Sequence, residues 1–254
     1  MNTKKSENQN TFVSHLSELR SRLVKSFIFL IVSFIICYFF SENIYKFLVR
    51  PYSEAVLESN LDRRLIFTAL HEAFLTYLKV AFFASIFITS PIFLTQIWKF
   101  VAPGLYNNEK KALLPYLIAT PLLFFIGGML VYYLIMPLAI KFFLSFETSA
   151  DVGSIAIQLE AKVNEYLSLI MRLIFAFGLS FQLPVVLSLL ARIGVVDSNY
   201  LQTRRKYVVV IMFSLAAILT PPDPITQIGL ALPLLILYEL SILTVKMIEN
   251  KKNA

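Results

Sequence analysis

YVVVIMFSLAAILTPPDPITQIGLALPLLILY, residues 207–238, holds a single charged side chain, Asp223, with three of its four prolines, Pro221, Pro222 and Pro224, beside it. A proline inside a helix removes a backbone donor and collides with the preceding turn, at about 3 kcal/mol or more. The stretch therefore reads as two apolar helices joined by a tight turn at 220–224. Neither half contains a charge, and such helices belong in a membrane.

Working outward, a span must present about 20 mostly apolar residues to the hydrocarbon. Uncharged runs at 26–41, 80–98, 112–140 and 173–191 add four more. The fold expected is an all-α integral membrane protein with six transmembrane helices, at about 25–41, 78–99, 112–136, 168–191, 207–220 and 225–245. Composition agrees: the 254 residues are 57% hydrophobic and 15% charged, against about 45–50% and 25% in soluble domains. Too few charges remain to clothe a soluble surface.

Charge placement orients the chain. An even number of spans puts both termini on one side, together with the loops at 99–111 and 192–206. That side carries 15 of the 23 basic residues and five acids (Glu7, Glu18, Glu109, Asp197 and Glu249), for a net +10, while the opposite side is net −2. By the positive-inside bias both termini are cytoplasmic. The basic balance needs no nucleic-acid partner, and the polar start, 1–11, lacks the pattern of a removable signal peptide. Both outer loops, 42–79 and 141–172, keep helical apolar spacing, which predicts short surface helices forming an outer cap.

Catalytic motifs are missing. No glycine precedes a lysine, so there is no phosphate-cradling loop. His71-Glu72 begins like a zinc-protease helix, but Leu75 stands where the second His would be needed, and no metal site is expected. The spans supply no base to activate a serine, and Cys37 is alone in an apolar run. The chain is expected to be neither an enzyme nor a cofactor binder.

Two carboxylates remain on the cationic side. Phe12, Leu16, Leu19 and Leu23 recur at helical spacing with Glu18, Arg20, Arg22 and Lys25 between them, predicting a short amphipathic surface helix at about 12–24. Glu18 there can pair with Arg22 at i, i+4. Glu109 ends a tight turn between spans two and three, just before Lys110 and Lys111. A guanidinium fork suits such carboxylates, although helix-end charges without a ligand fit the same pattern.

The run His15-Leu16-Ser17-Glu18-Leu19-Arg20-Ser21-Arg22-Leu23, then Pro51, then Gln96-Ile97-Trp98-Lys99-Phe100-Val101-Ala102-Pro103-Gly104-Leu105 with Glu109, resembles TatC. So do Phe177-Gly178-Leu179-Ser180-Phe181-Gln182-Leu183-Pro184 and Leu219-Thr220-Pro221-Pro222-Asp223. TatC is the six-span receptor subunit of the twin-arginine protein translocase of the bacterial cytoplasmic membrane. The resemblance implies a concave, glove-like bundle that binds signal peptides of folded proteins and recruits TatA and TatB, with transport driven by the proton-motive force. It implies that Glu18 and Glu109 receive the twin arginines and that Arg20 and Phe100 shape their site. Pro51, Tyr132 and Asp223 match outer-side or membrane positions important in the family. Thr220 and Gln227 match a polar cluster where a partner helix docks. Many members carry Glu where this chain has Gln182, and an amide cannot carry a proton. Glu239, near the inner end of span six, is expected to snorkel to the interface.

The last hairpin is also short. At about 1.5 Å per residue its uncharged arms reach only about 21–24 Å, against about 30 Å of hydrocarbon. Its tip should lie below the outer surface, or the bilayer should thin around it. A secondary transporter would instead favour charges around a midplane cavity and an inverted repeat, and neither is evident.

Overall fold

The computed structural model describes residues 3–58, 63–101, 110–147, 158–220 and 223–253, and their side chains except at 3–16, 18–19, 98–101, 110–113 and 251–253. Among these residues the chain is helical, with one isolated β-bridge between Ile66 and Lys162. The helices are α1 (Thr3–Phe39), α2 (Ser41–Glu58), α3 (Glu72–Val101), α4 (Lys110–Leu130), α5 (Met136–Leu144), α6 (Val163–Ser180), α7 (Leu183–Arg192), α8 (Ser198–Leu219) and α9 (Pro224–Asn253), with a π-helical turn, Val131–Ile135, between α4 and α5. Five stretches are long and apolar enough to cross a membrane: Arg20–Phe39, Glu72–Ile97, Leu114–Leu144, Val163–Arg192 and Pro224–Asn250. The remaining expected span, the fifth in chain order, lies in α8, which has 22 residues but carries Arg204, Arg205 and Lys206.

Three local differences from the sequence reading have clear causes. No separate amphipathic helix covers 12–24; α1 runs straight through, because no glycine or proline lies between Thr3 and Phe39 to stop it. The expected fourth span is broken at Phe181-Gln182, with Pro184 near the start of α7. The third expected span continues past 136: Pro137 lacks a donor, and a π-turn in which the Met136 N–H reaches back to the Val131 carbonyl carries the helix on to Leu144.

The core centres on α6, whose Leu167, Ile170, Leu173 and Phe177 are fully buried with Val131, Met136, Leu230 and Leu234. Burial is greatest in Val163–Arg192, at 56%, and least in Arg20–Phe39, at 17%, so α1 lies at the periphery, along α3. Large apolar side chains such as Phe27, Ile36, Val210 and Ile218 stand exposed. In water such a surface would aggregate; in lipid it is the expected exterior.

Glycines set the closest approach. A Cβ on Gly127 of α4 would lie 2.7 Å from the Phe177 carbonyl oxygen of α6, and one on Gly178 would lie 2.7 Å from the Phe124 ring. Gly127 thus brings the α4 backbone nearly into contact with that of α6, while Gly178 makes room for the Phe124 ring of α4.

At the end of the bundle carrying α2, the two long connections clasp each other. Arg63 Nε donates to both Glu147 oxygens, at 3.0 and 3.2 Å, and Nη2 donates to Oε2 at 3.1 Å. The Leu159 N–H adds a bond of 2.7 Å to Glu147 Oε1. The Arg63 guanidinium beside it holds the Glu147 carboxyl below the usual range. Of the cap helices expected here, α2 is the one formed in the first connection.

Candidate functional site

The expected site residues fall into three described groups and one that is only partly described. The first group lies where α2 meets the π-turn. Pro51, buried in α2, has no N–H, so the Phe47 carbonyl one turn earlier lacks its helical donor. Tyr132 fills the gap: its hydroxyl donates to Phe47 O at 2.8 Å, and its ring stacks on the Phe47 ring at 4.3 Å and 2°. Tyr166 of α6 donates in the same way to the neighbouring Leu48 carbonyl, at 3.0 Å. Pro51 and Tyr132 also share a cavity of about 250 Å³ with Arg50, Glu54 and Tyr133. The resemblance names these two residues without linking them to each other; the fold makes them one device that pins α2 to the bundle.

That pairing makes a testable statement. Tyr132→Phe leaves a part-buried carbonyl unpaired, at about 1 kcal/mol, and lowers the heat-unfolding midpoint in detergent. In a Pro51→Ala background the backbone donor returns, and the same change should cost less than half as much. Equal losses in both backgrounds would contradict the substitution of one donor for the other.

The second group is Gln182. It sits in the break between α6 and α7, where its own N–H bonds to Leu179 O at 3.0 Å, leaving the Gly178 carbonyl without its helical donor. Gln182 Nε2 covers that carbonyl at 3.5 Å and donates to Thr120 O of α4 at 3.0 Å. Gln182 is buried, and its Oε1 has no protein partner among the described residues, as is also true of Thr120 Oγ1. The amide thus ties the broken span to α4 through its donor side.

The third group is the turn between α8 and α9. Thr220 is buried and donates to its own helix at Ala216 O, 2.8 Å. Asp223, also buried, caps α9: its Oδ1 accepts from the Thr226 N–H at 2.7 Å, its Oδ2 from the Thr226 hydroxyl, and its carbonyl from the Gln227 N–H at 3.2 Å. Gln227 is half-buried. Pro221 and Pro222 lie outside the described residues.

The fourth group is the carboxylate site. Arg20 is exposed on α1; Glu18 lies in α1 and Phe100 in α3, but their side chains lie outside the described residues, as does the whole of Glu109. One described contact brings the neighbouring segments together: Arg22 Nη1 donates to Gln96 Oε1 at 2.9 Å. The α1 segment holding Glu18 and Arg20 therefore lies against the end of α3 that leads to Phe100.

Other charged groups resolve into structural roles. Glu72 spends its carboxylate on the Thr68 and Ala69 N–H groups, at 2.6 and 3.2 Å. Glu239 is about half exposed and pairs with Arg205 at 2.7 Å, a partner that sequence spacing did not suggest. Among the described residues no three His, Cys, Asp or Glu side chains are grouped to hold a metal.

Residues 14–233 match the family model "Sec-independent protein translocase protein (TatC)". A Magnetococcus marinus protein named Sec-independent protein translocase protein TatC is 49% identical over 97% of this chain and 88% of its own length. A Rickettsia prowazekii protein of the same name is 43% identical, covering 95% of each. A crystal structure described as the twin arginine translocase receptor TatC in DDM superposes with a TM-score of 0.77 at 36% identity, covering 90% of this chain and 98% of that one.

Proposed function

This chain belongs to the TatC family of Sec-independent protein translocase proteins, and on that premise we propose that it binds twin-arginine signal peptides of folded precursors and recruits TatA- and TatB-type single-span partners. It is a core transport component of the twin-arginine system rather than an enzyme. The reading places it in the bacterial cytoplasmic membrane with six spans, both termini cytoplasmic, arranged as a concave, glove-like bundle, with transport drawing on the proton-motive force.

The observation that carries the recognition site is the Arg22–Gln96 bond. It supports a single patch in which Glu18 and Glu109 accept the two arginines, with Arg20 and Phe100 shaping the approach. Bidentate guanidinium–carboxylate bonds supply both the affinity and the demand for arginine over lysine. Thr220 and Gln227 mark the docking edge for a partner helix, beside the exposed apolar face of α8, and the Asp223 cap holds that edge in shape. Pro51 and Tyr132 keep α2 in place over the outer end. Gln182 carries no proton at its position, since an amide does not titrate.

Counting α8 as a span, which brings the number to six, is supported by its uncharged run from Tyr207 to Leu219 and its packing along α9. A reporter active only in the cytoplasm should work when fused after Asn107 or Ala254 and fail after Ser149. Activity after Ser149 would overturn both the topology and the cytoplasmic recognition site.

A further inference from the structure

We propose that the cleft at the start of α8 binds the phosphodiester headgroup of an anionic phospholipid. The cleft holds about 420 Å³ and is lined by Tyr200, Arg204, Lys206 and Tyr207, among others. Tyr200, Arg204 and Tyr207 stand at i, i+4 and i+7, so they share one face of the helix. The Arg204 guanidinium carbon lies 5.3 Å from the Tyr200 ring centre and 5.6 Å from that of Tyr207. Lys206 Nζ lies 5.2 Å from the Tyr207 ring centre. Attraction to a ring leaves the guanidinium charge uncompensated by any carboxylate, and guanidinium N–H donors are the ones that fork onto a phosphate.

The charge balance of the cleft points to an anion. Arg205, between the two cations, is paired with Glu239. Among the described residues neither Arg204 nor Lys206 has a carboxylate within ion-pair distance. Asp197 lines the cleft too, but its Oδ1 is engaged as the cap of α8, accepting from the Tyr200 N–H at 2.5 Å.

Depth selects a lipid over a soluble anion, and here the inference rests on α8 being a span. The uncharged run that begins at Tyr207 and ends at Leu219 is about 20 Å long at 1.5 Å per residue, well short of the hydrocarbon thickness. The cations one turn before it are drawn to the hydrocarbon boundary, where lipid phosphates lie, and tyrosines are at home at that level. Among the described residues the two cations of the cleft outnumber its one acid, Asp197, and a net-negative headgroup answers that surplus better than a zwitterionic one. Each cation near an anionic surface is worth about fivefold in affinity.

The test uses the full chain in phosphatidylcholine nanodiscs doped with spin-labelled phosphatidylglycerol. The double variant Arg204→Gln/Lys206→Gln should lower the preference for phosphatidylglycerol over phosphatidylcholine about tenfold or more. Lys25→Gln/Lys246→Gln, which removes the same net charge elsewhere near the interface, should lower it far less, because those cations act on lipid only through the diffuse field. An unchanged preference in the first variant, or an equal loss in the second, overturns the site in favour of a diffuse field. Inorganic phosphate at about 10 mM should not displace the labelled lipid, given the screening of isolated charges in water; displacement would make a soluble anion the ligand and overturn the lipid assignment. On the unmodified chain, phosphatidylglycerol with a photoactivatable headgroup should label residues 200–207, and labelling confined to other segments overturns the proposal. Reporter fusions test the topology separately, so a chain with the expected topology and no labelling fails this inference alone.

Discussion

Glu18→Lys and Glu109→Lys are each expected to abolish binding of a twin-arginine signal peptide while the chain still inserts and folds. A hydrogen bond to a charged group contributes about 1.5–3 kcal/mol, and a guanidinium on a carboxylate makes two. Replacing the acceptor by an ammonium removes both and adds repulsion, so affinity should fall by more than about 100-fold. Gln at either position keeps an acceptor oxygen but loses the charge, and the loss should be about tenfold. Titration of labelled peptide onto the purified protein reads the affinity, and resistance of the chain to carbonate extraction reads insertion. Lys variants that bind as tightly as the parent would remove both carboxylates from the site.

The second large effect is mechanical. Gly127→Ala should markedly lower the amount of folded protein and its unfolding midpoint, because the new methyl meets the Phe177 carbonyl oxygen at 2.7 Å. That oxygen belongs to the backbone of α6 at the fully buried Phe177 and cannot move without shifting the helix; overpacking of this kind costs about 1–3 kcal/mol or more. Gly128→Ala is the matched control. Its methyl would meet the far edge of the Phe87 ring at 2.9 Å, and a side-chain rotation relieves that. Equal stability of the two variants would show that α4 and α6 are not in backbone contact.

The sequence carried the existence of most helices because uncharged runs of this length have few alternatives. The turn before Asp223 was legible for a similar reason, since clustered prolines end a helix wherever they fall. Interruptions inside a span were not legible. Pro184 near the start of a helix and Pro137 within one suit either a continuous or a broken path, because neighbouring groups in a bundle can replace the lost donors. Only the fold shows that Tyr132 serves the carbonyl freed by Pro51, or that Gln182 serves the one freed at Gly178. The first pair is far apart in sequence, and the second exists only because the helix breaks at Phe181-Gln182, so neither leaves a periodic signal. The same holds for Arg63 with Glu147 and Arg205 with Glu239.

For the recognition site the balance is reversed. Glu18 and Glu109 stood out in sequence as carboxylates on a cationic face, and the resemblance gave them a ligand. The fold contributes the approach of α1 to the end of α3 through Arg22 and Gln96, a contact between two motifs that the sequence could only place in order.

Site-specific cross-linking in native membranes measures the recognition claim directly. With a photoreactive side chain in place of Arg20 or Phe100, a precursor bearing an intact twin-arginine signal should cross-link to this chain, and the same precursor with both arginines changed to glutamine should not. Equal cross-linking of the two precursors would contradict recognition of the arginine pair.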